Sequence, residues 1–305
     1  MIRSFLKGHS LERHVLLDII RIAAVTLLLT AHIGQTLNHP IGSAFGIRGF
    51  YHVSLGGLAV TLFLVLSGLA LELHNRKHIT YRDFIIKRIL RIYPVYYLAL
   101  FIGIALYFYE AFQNGQSVIG SLSVLGPWAV LLSLTGCYAF AGLWGGPFLA
   151  TSWFIGLIMA MYLVYPLLSY AVRRKPYTTI LLTFVVSALA RYILGQYQLL
   201  PHRPLDWFPL SRVFEFTLGI FLAHVINGKH FQILDNIPDQ WKQAIHYMGE
   251  LSFPLYLVHQ PFCVFIPRMM ETGFGIWFSI FVFLGVSLSV SAVLFFIDRF
   301  VPRKR

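Results

Sequence analysis

Nine apolar runs recur along the chain, each of about 18–22 residues and so long enough to cross a hydrocarbon core of roughly 30 Å. They fall near residues 15–34, 52–73, 93–112, 118–141, 152–171, 178–196, 209–227, 248–266 and 275–297. Runs of this kind predict an all-α polytopic membrane protein, a bundle of about 8–10 transmembrane helices. Composition agrees. Of 305 residues, 57% are hydrophobic and 12% charged, where soluble domains average about 25% charged. A mean hydropathy of +0.70 excludes disorder, a water-soluble globule and a nucleic-acid reading of the +12 net charge. The first run is not a cleavable signal, because Asp18 and Arg21 interrupt it and no small-x-small site follows. The longest polar linker, 228–247, is too short to fold alone, so a single integral-membrane domain over 1–305 is expected, with no soluble domain.

The excess of cations follows topology. Of 24 Lys and Arg, 18 lie before residue 14, at 76–91, at 173–175, at 229 and 242, or after 298. That clustering is the positive-inside pattern and makes those segments, with both termini, cytoplasmic. Nine full crossings would carry Arg173-Arg174-Lys175 and the C-terminal Arg303-Lys304-Arg305 outside, against the bias. The weakest run is 118–141, broken by Gly126-Pro127 and Gly136. It reads either as re-entrant or as two short crossings, so eight or ten spans are expected.

Charges at membrane depth cost about 2.5–3.5 kcal/mol each on insertion scales, so each needs a partner or a function. The first helix holds Asp18, Arg21 and His32. Asp18 and Arg21 are three apart and able to pair. His32 follows Arg21 by eleven residues, close to three turns and about 16 Å along the axis, so both share a face. An ion pair with an interfacial histidine is the simpler reading. A cation at one end and an imidazole at the other is the functional one. In the second run, Phe63-Leu64-Val65-Leu66-Ser67-Gly68 lacks the glycine of a nucleophile elbow and reads first as a small-residue packing face. Lys87, Arg88 and Arg91 precede Tyr93-Pro94 on a helix entering the membrane. They suit phosphate binding or a basic lipid anchor. Trp153, Tyr162 and Pro166 punctuate the fifth run. Arg212 and Glu215 are spaced as an i,i+3 pair, and Tyr256-Leu257-Val258-His259-Gln260-Pro261 places a histidine that reads most simply as a core residue. No P-loop, His-Glu-x-x-His or cysteine cluster is present, so neither nucleotide hydrolysis nor a metal site is indicated.

Taken in order, these pieces resemble the acyltransferase-3 family of polytopic membrane acyltransferases, over about residues 15–297. Leu17-Asp18-x-x-Arg21 with His32 is similar to its Arg-x10-His helix, and Phe63 to Gly68 to its Phe-x-x-Leu-Ser-Gly element. Arg88-x-x-Arg91-Ile92-Tyr93-Pro94 is similar to its basic segment. Trp153, Tyr162 and Pro166 keep the spacing of its aromatic helix, and Arg212 to Gly219 and Tyr256 to Pro261 resemble its last two motifs. One departure stands out. The family's aromatic helix usually carries a glutamate five or six positions after its tryptophan, where this chain has Ile158 and Met159.

The resemblance implies an O-acetyltransferase-type enzyme of the cell (plasma or inner) membrane. It would use acetyl-CoA or another acyl-CoA as co-substrate, with no permanently bound cofactor, and acylate a hydroxyl of a cell-surface carbohydrate or related acceptor. In that reading His32 is the general base and Arg21 orients the donor, supported by Asp18 and Ser67. Lys87, Arg88 and Arg91 bind the acyl-CoA. Tyr93, Trp153, Tyr162, Arg212, Glu215, Tyr256 and His259 line the substrate path or hold the fold. The alternative is a glycan or lipid exporter on the same scaffold, which would need the buried charges but no acyl donor. The acceptor and the oligomeric state are not legible.

Overall fold

In the computed structural model the described residues are 15–39, 44–47, 51–74, 80–141, 146–197, 207–226 and 237–300. Both termini lie outside them, and so do the basic residues Arg76, Lys77, Lys229 and Arg303 to Arg305. The expected cytoplasmic placement of the termini therefore concerns residues that are not described.

The chain is helical in the order α1 (Val15–Thr36), α2 (Leu55–His74), α3 (Tyr81–Gln113), α4 (Val118–Thr135), α5 (Trp153–Arg174), α6 (Pro176–Tyr197), α7 (Pro209–Ile226), α8 (Asp239–Phe262), α9 (Phe265–Glu271) and α10 (Ile276–Phe300). A small antiparallel hairpin, β1 (Ala44–Ile47) with β2 (Tyr51–Ser54), joins α1 to α2, with Ala44 opposite Ser54 and Ile47 opposite Tyr51. Among the described residues, seven helices are long and apolar enough to cross a membrane: α1, α2, α3, α5, α6, α7 and α10. Helix α8 has 24 residues, about 36 Å at 1.5 Å per residue. Its first half carries Asp239, Lys242, His246 and Glu250, which lowers its hydropathy without shortening it.

The run at 118–141 is not one straight crossing. Gly126 breaks α4 with φ 72° and ψ 162°. The proline after it disfavours helical backbone, and glycine alone enters that region without strain. Gly136 then ends the helix in the left-handed conformation. Two tyrosines of α3 satisfy carbonyls at this end of α4: Tyr93 donates to Thr135 O at 2.8 Å, and Tyr96 donates to Ser133 O. Broken helix at membrane depth is tolerated where protein supplies such partners.

Helix α3 is continuous for 33 residues, so the basic segment and the span behind it are one element. Thr80 caps it, accepting the Asp83 N–H at 3.2 Å. The tightest crossing in the bundle joins α2 to α7. A Cβ at Gly68 would lie 2.1 Å from Phe216 O, and one at Gly219 would lie 2.0 Å from Val65 O. With no hydrophobic force between helices in lipid, such close backbone approach supplies the packing. Small residues occur here because nothing larger fits. Around this pair, α1 packs on α2 and α8, α6 on α7, and α10 on α8. The core runs through Leu64, Tyr96, Ile155, Leu157, Phe216 and Leu257, each almost wholly buried.

Candidate functional site

Helix α1 carries its polar residues to opposite ends of the bundle, and at each end they meet α8. At the first end Arg21 Nη1 donates to Asp18 Oδ1 at 2.6 Å, and Asp18 Oδ2 lies 2.8 Å from His246 Nδ1. His246 Nε2 lies 3.4 Å from Glu250 Oε1, and Arg299 Nη2 donates to Glu250 Oε2 at 2.9 Å. Asp18 is buried against Gly249, where any Cβ would come within 2.7 Å of it. A buried carboxylate needs such partners to stay charged. Here they fix Asp18, and Asp18 in turn holds a partly exposed Arg21.

At the second end His32 meets His259, with ring centroids 5.0 Å apart and planes tilted by 50°. His259 is completely buried. Its Nδ1 lies 2.8 Å from Tyr256 O and 3.2 Å from Leu255 O. Carbonyl oxygens only accept, so Nδ1 carries the proton and Nε2 keeps the lone pair. That Nε2 has no hydrogen-bond partner. The turn bearing His259 is locked to the segment before α5. Tyr256 Oη donates to Thr151 O at 3.2 Å, and Thr151 Oγ1 donates to Leu257 O at 2.9 Å. The rings of Phe154 and Phe63 stand 5.2 and 5.9 Å from that of Tyr256. Four of the sequence motifs therefore converge on one place.

Back at the first end, Arg88 projects from α3 between two rings, 5.3 Å from Phe84 and 5.9 Å from Tyr162. Both distances are within cation–π range. Its Nε is buried without a hydrogen-bond partner. Phe84 stacks on Tyr165 at 5.2 Å, whose hydroxyl donates to Glu72 Oε2 at 2.9 Å. Glu72 also accepts from Ser169 at 2.7 Å and from Arg173 Nε at 2.7 Å. Lys87 and Arg91 are exposed beside this cluster.

A third polar group lies between α2, α6 and α7. Glu215 Oε1 accepts from Arg191 Nη2 at 2.9 Å and Arg212 Nη1 at 3.1 Å. Arg212 Nη1 also reaches Thr61 Oγ1 at 3.3 Å, and Arg191 Nε donates to Ser211 O at 3.0 Å. The expected Arg212–Glu215 pair is thus one side of a triad of one carboxylate and two guanidiniums.

Other expected residues take structural positions. Ser67 Oγ donates to Phe63 O within its own helix at 2.7 Å, which engages the hydroxyl in α2 itself. Tyr93 pins α4, as described above. Trp153 is buried at the start of α5, its ring edge-on to Phe154 at 6.0 Å. Tyr162 is buried between Arg88 and Phe216. Ile158 is buried in the core and Met159 packs against it. Among the described residues, α5 contacts a carboxylate at Glu72 of α2.

Glu72, His246 and Arg191 were not singled out from sequence. Glu72 and Arg173 had a signal, since opposite charges close two apolar runs at the same end. His246 and Glu250 had one too, an i,i+4 pair in the polar half of α8.

Residues 15–237 match the family model described as an acyltransferase domain. The matched segment includes α1 to α7 and stops before α8, so Tyr256 and His259 lie beyond it. No curated protein and no solved structure matches the chain.

Proposed function

Because the chain belongs to the acyltransferase-3 family of membrane acyltransferases, we propose that it moves an acyl group, acetyl in the first instance, from acyl-CoA at the cytoplasmic end of the bundle to a hydroxyl of a cell-surface carbohydrate or related acceptor at the opposite end. One observation carries this reading. Arg21 and His32 lie on one face of an unbroken helix, eleven residues apart, and α8 meets that helix at both ends, through Asp18 at the first and His32 at the second. With α8 counted as a crossing, the described residues hold eight spans. The end bearing Arg21, Arg88 and Arg173 is then the cytoplasmic one, as the clustering of basic residues requires.

Each group has a role in that arrangement. Arg88 offers a half-buried guanidinium with an unused donor to a coenzyme A phosphate, and Lys87 and Arg91 add charge at the mouth. The pantetheine arm spans roughly the 16 Å between Arg21 and His32 and carries the thioester inward. Neutral His32 takes the proton of the acceptor hydroxyl as its oxygen attacks the thioester carbonyl. Arg21, held by Asp18, orients the phosphate end of the donor as a fixed cation. The sulfur leaves as the thiol with the proton returned by His32. Ser67, bonded within α2, needs no part in this direct transfer.

Sealed membrane vesicles of the two orientations, given radiolabelled acetyl-CoA, test both donor and face. Label should reach the endogenous acceptor only when the cytoplasmic face is exposed to the added donor. Protein that neither binds nor turns over acetyl-CoA would favour the exporter. Within the donor site, Arg88→Ala with Arg91→Ala should weaken acetyl-CoA binding at least tenfold, at about 1.5–3 kcal/mol per charged hydrogen bond. Arg88→Ala alone should account for most of the loss, since Arg91 is exposed. Equal affinity in wild type and variant, by equilibrium dialysis, would return Arg88 to a lipid anchor packed between rings.

A further inference from the structure

The mechanism above leaves the imidazole of His259 unused, although it is the most tightly specified polar group at the outer end. Its Nδ1–H is committed to the Tyr256 carbonyl at 2.8 Å. Its Nε2 is a bare lone pair, buried and without a partner. Leaving a buried acceptor unmade is costly unless something fills it. The closest described ring is His32, at 5.0 Å between centroids. A separation of that size fits one N–H···N bond of about 3 Å between two imidazole edges, after a small turn of either ring.

Resting on the acyl-transfer reading, we infer that His259 is a positioning residue: its Nε2 accepts the ring N–H of His32 and so fixes the His32 tautomer that presents a lone pair to the acceptor hydroxyl. The chain of support runs outward from the backbone. Thr151 and Leu257 lock the turn, the Tyr256 carbonyl fixes the protonation of His259 Nδ1, and His259 Nε2 orders His32. The steps balance. The acceptor O–H proton passes to the free His32 nitrogen while the oxygen bonds to the acyl carbon. The imidazolium keeps its second N–H on His259. The carbon–sulfur bond breaks, and the His32 proton goes to the departing sulfur. A neutral imidazole in this place orients the base without adding a charge at the outer end of the bundle.

Two substitutions separate positioning from packing. His259→Phe keeps a ring in the buried space and removes the acceptor, whereas His259→Gln restores an acceptor near the Nε2 position. In vesicle assays His259→Phe should lower the turnover number roughly tenfold or more with KM for acetyl-CoA unchanged, and His259→Gln should recover most of it. Equal turnover in the two variants, at either level, would overturn the assignment. If His259→Phe does not fold, 15N-histidine NMR of the wild-type protein in nanodiscs decides, with resonances assigned from His32→Ala and His259→Gln. His259 protonated on Nδ1 with His32 in a single tautomer supports the inference, and a His32 ring averaging between tautomers overturns it. The underlying reading fails separately. A His32→Ala protein that transfers label at the wild-type rate removes the base itself, whereas an inactive His32→Ala beside an unaffected His259→Phe removes only the positioning role.

Discussion

His32→Ala should abolish transfer of label from acetyl-CoA to the acceptor, a loss of about 10²–10⁴-fold for a missing general base, while acetyl-CoA binding stays nearly intact. The two readouts separate because the groups proposed to hold the donor phosphates lie at the other end of α1. Arg21 and Arg88 belong to the end where Asp18, His246 and Glu72 are packed. His32 is three turns away, and its ring neighbour is His259. Truncating His32 also removes little from the fold, because its side chain is only partly buried and it caps no helix. A purified His32→Ala protein should therefore keep its melting temperature and its affinity for donor. Arg21→Ala is the contrasting case. It strips Asp18 of its guanidinium partner, so it should impair transfer and lower stability together. Retention of wild-type transfer by His32→Ala would remove the catalytic assignment, and glycan movement without any acyl donor would then point to export.

Much of this arrangement was legible in the chain, for identifiable reasons. The Asp18–Arg21 pair and the shared face of Arg21 and His32 are local consequences of helical spacing, and the structure has both. The break at Gly126-Pro127 follows from the backbone preferences of those two residues. The Gly68–Gly219 crossing was half legible. A small-residue face was apparent at Ser67-Gly68, but not that it would meet Gly219, 151 positions further on. The long-range partners were not legible at all. His246 reaches Asp18 from 228 residues away, and Arg173 reaches Glu72 from 101. No periodicity encodes those distances. Helix α8 was missed at its start for a different reason. Its first nine residues are polar enough to read as linker, and they become helical because they lie against α1 and α10, where Asp18 meets His246 and, just beyond them, Arg299 meets Glu250.

The largest stability effect should come from the buried triad, through Glu215. Its carboxylate faces two guanidiniums, Arg191 at 2.9 Å and Arg212 at 3.1 Å, and both Glu215 and Arg212 are 3% exposed. Glu215→Leu removes the carboxylate from between two guanidiniums, one of them almost wholly buried, which should destabilise the protein by about 3–5 kcal/mol. Glu215→Gln preserves shape and one acceptor, yet it removes the charge and should cost nearly as much. Arg212→Met should cost less than either, because Arg191 and Glu215 remain as a balanced pair. The double change Glu215→Leu with Arg212→Met is the discriminating one. It removes the Glu215 contact from Arg191, and with 21% of its side chain exposed that arginine can turn its head toward water. The double variant should consequently be more stable than Glu215→Leu by itself, the signature of strong coupling in a double-mutant cycle. Unfolding of the four proteins in mixed micelles gives the ranking directly. Additive losses, or a Glu215→Gln protein as stable as wild type, would mean that the triad is solvated and that its guanidiniums are not confined by Glu215.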